Sequence, residues 1–64
     1  MCLSTVYKGD SVSPENILAE SVVGVKAEND EIRLTDITGE EFLFRGKLRS
    51  VDLIDDRIFI DLEP

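Results

Sequence analysis

Cys2 is the single cysteine of a 64-residue chain that contains no histidine. One sulfur therefore carries both the soft-metal and the strong-nucleophile chemistry open to this sequence. It stands beside Met1, so a thiolate, a terminal amine and a backbone amide nitrogen can form adjacent chelate rings around one ion. Thiolate and nitrogen donors in a planar array suit Ni(II) or Cu(II) better than Mg or Ca. The positive charge of the amine, while present, favours the thiolate of its neighbour. One thiolate per chain leaves such a site incomplete, and two chains related by a twofold axis would bring two Cys2 sulfurs to one ion. Zinc fits less well, because structural zinc sites take four Cys or His side chains. Removal of Met1 would let the amine of Cys2 chelate in a five-membered ring. Retention would leave the Met1 amine and the Cys2 amide as nitrogen donors. Met1 and Cys2 are thus the candidate metal residues, and both forms stay open. The plain alternative makes Cys2 a small buried apolar residue on a first strand.

The other candidates read as structure. Arg45, Lys47 and Arg49 alternate and would share one strand face. That face could touch phosphate, but Asp and Glu on neighbouring strands would balance it. Tyr7 stands alone, and Phe42 and Phe44 look like core, so the stacking platform of a single-strand binder is missing. Glu28, Asp30 and Glu31, then Glu40 and Glu41, then Asp52, Asp55 and Asp56 fall in or beside turns. None has the spacing of a calcium loop. There is no glycine-rich phosphate loop, no Ser-His-Asp set and no paired cysteines. An enzyme is not expected, and no catalytic residue is assigned.

Size and charge narrow the classes. Residues 1–64 make one small domain, near the limit of independent stability. A lone cysteine cannot staple it with an internal disulfide, which leaves metal binding and oligomerisation. Absence of paired cysteines fits a reducing cytoplasm. Neither a secretory leader nor a membrane span is expected. Fourteen acids against seven bases give a net charge of −7. That sign attracts cations and disfavours nucleic-acid partners.

Short alternating segments between turn residues argue for β-structure. The expected strands are 2–7, 21–27, 31–37, 41–44, 47–54 and 57–62. Val23, Val25 and Ala27 are expected on one face, with a bend or bulge at Gly24. Ile32 and Leu34 point inward, as do Ile58, Ile60 and Leu62. Residues 15–20 read either as a helical turn capped by Ser13 and begun at Pro14 or as a short edge strand. Arg45-Gly46 marks a corner, and a bulge near Arg49-Ser50 brings Val51 and Leu53 into phase. The fold class is all-β: a six-stranded antiparallel meander curled into a half-open barrel of SH3-like or OB-like size. Its exposed edge strands favour pairing with a second copy, a homodimer.

The chain resembles the CooT family. The likeness rests on the opening Met1-Cys2-Leu3 with Val6-Tyr7, then Val22-Val23-Gly24-Val25 and Ile32-Arg33-Leu34. It continues through Gly39-Glu40, Gly46, Val51-Asp52-Leu53 and Ile58-Phe59-Ile60. The resemblance implies a small dimeric nickel-binding accessory protein, a metallochaperone or nickel-handling factor in maturation of carbon monoxide dehydrogenase. It implies one Ni(II) shared by Cys2 of both subunits. Partners would be the second subunit and the apo dehydrogenase or its maturation factors. HypC-type hydrogenase maturation chaperones also start Met-Cys-Leu, but their following Pro-Gly pair is replaced here by Ser4-Thr5-Val6-Tyr7. A small RNA-binding β-barrel using Arg45, Lys47 and Arg49 is the remaining alternative.

Overall fold

Val6, Ala19, Val22, Ile32, Leu34, Ile58 and Ile60 are buried together and form the core. Most are β-branched, and each comes from a strand in which inward residues alternate with outward ones. The computed structural model describes residues 3–64. Its strands are β1 (Ser4–Lys8), β2 (Ile17–Glu28), β3 (Glu31–Asp36), β4 (Glu41–Asp52) and β5 (Arg57–Leu62). A 3₁₀ turn, Pro14–Asn16, leads into β2. Consecutive strands pair antiparallel, and β1 pairs parallel with β5, so the sheet closes into a barrel.

This corrects the expectation of six strands in a half-open barrel. Two expected strands, 41–44 and 47–54, are one twelve-residue strand, β4. The corner at Arg45-Gly46 exists, but it is a change of neighbour rather than a break. Up to Arg45 the strand pairs with β3, and from Gly46 it pairs with β5. Closure also removes the free β1 and β5 edges that argued for a second copy. The segment at 15–20 resolves both ways at once, as a 3₁₀ turn begun at Pro14 and then as the start of β2.

Bulges set the phase of the inward faces, and β2 also shifts register twice against β1, with Ser21 at positive φ between buried Ala19 and Val22. The expected irregularity at Gly24 is there, between Val22 and Gly24, and the one near Arg49-Ser50 falls between Leu48 and Ser50. Their consequences differ from the sequence reading. The break in alternation puts Val22 inward and Val23 outward, with Ala27 exposed. Leu53, expected inward, lies in the turn after β4 and is exposed. Ile32, Leu34, Ile58 and Ile60 are buried as expected, and Phe42, Phe44 and Leu62 pack against them. Tyr7 does not stand alone: its ring stacks on Phe59 of the parallel neighbour, centroids 5.6 Å apart.

The β2–β3 hairpin turns on Asn29 and Asp30, both with positive φ, as a two-residue turn matched to strand twist requires. Gly46 is needed for a different reason. A Cβ there would collide with the Asp61 carbonyl oxygen and lie 2.9 Å from Leu62 Cα. Those are backbone atoms of β5 and cannot rotate away. Gly46→Ala should therefore cost about 1–3 kcal/mol in urea denaturation, the range for an overpacked interior. Gly24→Ala is the control. Its Cβ would meet Thr35 Cβ at an ordinary 3.7 Å, and stability should hold or rise slightly.

Candidate functional site

The chain joins the barrel at one well-defined place. Ser4 sits opposite Val22 of β2, and Thr5 sits beside Arg57 of β5. The Thr5 N–H donates to the Asp56 carbonyl at 3.0 Å. The start of β1 is therefore tied on one side to the bulged middle of β2 and on the other to the turn before β5. Met1 and Cys2, the expected metal residues, lie outside the described residues. Leu3, the first described residue, is exposed.

Among the described residues no three His, Cys, Asp or Glu side chains gather into a metal-holding group. The acidic clusters instead build turns. An Asp52 carboxylate oxygen accepts the N–H groups of Ile54 at 3.0 Å and Asp55 at 3.1 Å. Asp55 pairs with Arg57 at 3.6 Å. Asp36 does the same work at the β3–β4 turn, where Gly39 has positive φ. Its carboxylate accepts the Thr38 hydroxyl at 2.6 Å, the Thr38 N–H at 2.9 Å and the Glu40 N–H at 3.0 Å.

The alternating bases do share a strand, and carboxylates on neighbouring segments meet each one. Arg45 lies 3.5 Å from Glu31 and 3.9 Å from Glu63. Lys47 lies 4.0 Å from Asp30. Arg49 lies 2.9 Å from Asp61 and 3.6 Å from Asp10. Such exposed pairs add little stability. They do cancel the positive field that a phosphate backbone would need. Tyr7 and Phe59 face one another, which engages the stacking face of each ring. A shallow hollow of about 30 Å³ lies among Lys26, Glu28, Glu31, Arg33 and Leu43, room for roughly one water. Nothing in it pairs a nucleophile with a base.

Sequence reading missed Leu53 and Ile54, which it placed in a strand. They occupy a turn and are 80 and 92 % exposed. The available signal was Asp52, a residue type that caps its own turn, placed just before Asp55-Asp56.

The Thr38 hydroxyl, with the Glu40 and Thr38 N–H groups, holds the Asp36 carboxyl below the usual carboxylate range. A carboxyl held low when folded stabilises the fold above its unfolded pKa. That contribution is lost as pH falls through the folded value. Melting of wild type and Asp36→Asn should differ at neutral pH. The difference should shrink as pH drops below the ordinary carboxylate range and vanish once Asp36 is protonated in both states.

Three comparisons bear on what this barrel is. A crystal structure of a CooT candidate from Carboxydothermus hydrogenoformans has the same fold, with a TM-score of 0.81 at 19% identity. The likeness covers 98% of this chain and 100% of that one. An uncharacterised protein of Methanothermobacter thermautotrophicus is 36% identical over 63 residues, which is 98% of this chain and 92% of the relative. The family described as CO dehydrogenase accessory protein CooT matches residues 1–61. The chain belongs to the CooT family, accessory proteins of CO dehydrogenase rather than enzymes.

Proposed function

We propose that this chain is a homodimeric, cytoplasmic nickel-binding accessory protein that serves maturation of a carbon monoxide dehydrogenase. One Ni(II) is shared by the Cys2 thiolates of two subunits, with the Met1 amine or a backbone nitrogen beside each sulfur. The observation that carries this reading is the family match, which starts at Met1 and includes Cys2. Two further facts support it. Cys2 is the one soft donor in a sequence without histidine. The residues that follow it enter a strand held on both edges, by β2 and by β5. A strand so held gives a terminal ligand a rigid base.

The chain's own contribution is then to supply donors and protons. Each Cys2 thiol must lose its proton to bind, so metal affinity falls as pH falls. The surface charge of −7 raises the local concentration of cations without holding them tightly. The neutralised Arg45–Lys47–Arg49 row gives RNA binding no comparable support.

Native mass spectrometry with and without Ni(II) tests the reading. Wild type should carry one metal per two chains. Cys2→Ser should lose stoichiometric Ni(II) and keep its melting temperature. Tight, stoichiometric binding retained by Cys2→Ser would refute the site.

A further inference from the structure

Turn tips are normally polar, because Gly, Pro, Asn, Asp and Ser fit their backbone and face water. Here the β4–β5 turn displays Leu53 and Ile54 at 80 and 92 % exposure. The other large apolar side chains on the described surface reach 59 % at most. Exposed Val51 precedes the pair on β4, and exposed Leu3 precedes Ser4 and Thr5 at the start of β1. The Thr5 N–H donates to the Asp56 carbonyl, so the start of β1 and the turn share one end of the barrel. The backbone under the tip is braced, because Asp52 accepts the Ile54 and Asp55 N–H groups. An ordered apolar patch of this kind marks a surface that another protein covers.

We propose that this tip is the contact surface between two copies of the chain, with Leu53 and Ile54 of each copy packed against the same end of the other. The inference rests on the nickel dimer read above and gives that dimer its interface. Three residues of chain, about 10 Å when extended, separate Thr5 from Cys2. Two Cys2 sulfurs on one ion therefore draw together the barrel ends that carry Thr5 and the turn bonded to it. Two short terminal segments bridged by an ion bury little area, and a stable dimer needs a larger apolar contact. The tip supplies the most exposed apolar side chains at that end. A twofold axis makes the contact self-complementary, since one patch serves both copies. Charge does not forbid it. Asp55 is paired with Arg57, and Asp52 is hydrogen-bonded to the turn backbone. The repulsion left between two chains of −7 is screened by salt, and a divalent cation held between the chain starts offsets more of it. Such a dimer tightens with salt and with Ni(II), whereas one held by ion pairs between copies loosens with salt.

Analytical ultracentrifugation of the full chain, at low and high salt and with and without Ni(II), tests the interface. Wild type should dimerise, and its dimer Kd should fall as salt rises. Leu53→Ser combined with Ile54→Ser should raise that Kd about a hundredfold or more, with the far-UV circular dichroism unchanged. Cys2→Ser should still dimerise where the apolar variant is monomeric, which separates the tip contact from the metal bridge. Asp55→Asn with Asp56→Asn should tighten the dimer at low salt. An apolar variant that dimerises as tightly as wild type, with one Ni(II) per two chains, would overturn the interface and leave the nickel reading standing. A dimer that loosens with salt, or that the Asn variant does not tighten, would likewise overturn the interface alone. Wild type that stays monomeric with and without Ni(II) would overturn the dimer reading and the tip contact with it.

Discussion

Four parallel rungs, from Thr5–Arg57 to Lys8–Ile60, join the first strand to the last and make a closed wall of an open ribbon. Val6 and Ile58 face each other across one of these rungs, and both are buried. Without this seam the inner faces of β1 and β5 would lie along free edges, open to water and to other chains. A chain of this length buries a smaller share of its surface than a larger domain does, so few side chains can do the work of a core. Seven buried residues drawn from four strands do it here, with Phe42, Phe44 and Leu62 filling in around them.

The seam also arranges one end of the barrel. Parallel pairing sets the beginnings of β1 and β5 side by side, so the start of β1 and the 53–56 turn become neighbours. β4 reaches that turn by serving two partners in succession, and Gly46 permits the handover because β5 backbone occupies the space of a side chain. Carboxylates hold the turns, Asp36 in one and Asp52 in another.

Legibility in the sequence followed the range of the forces involved. Alternating Ile32, Leu34, Ile58 and Ile60 were readable, because a half-buried strand writes its period directly. The irregularities at Gly24 and Arg49-Ser50 were readable for the same local reason. The direction in which a bulge turns its neighbours was not. Whether Val22 or Val23 goes inward depends on the register with both β1 and β3. The number of strands failed at Gly46 because a glycine can mark a break or a close approach, and only the opposing backbone distinguishes them. The balance of the basic row was foreseen in kind, while the particular carboxylates come from β3 (Glu31), the β2–β3 turn (Asp30) and β5 (Asp61).

The order of amino acids alone settles the all-β character, the single thiol at Cys2, the acidic surface and the family, since these rest on residue type and local spacing. Packing through space settles closure by β1 and β5, the choice of inward valine and the exposure of Leu53 and Ile54. Closure depends on contacts between segments about fifty residues apart, and the inward valine on register with β1 and β3; a local hydrophobic period carries no record of which strand will lie alongside.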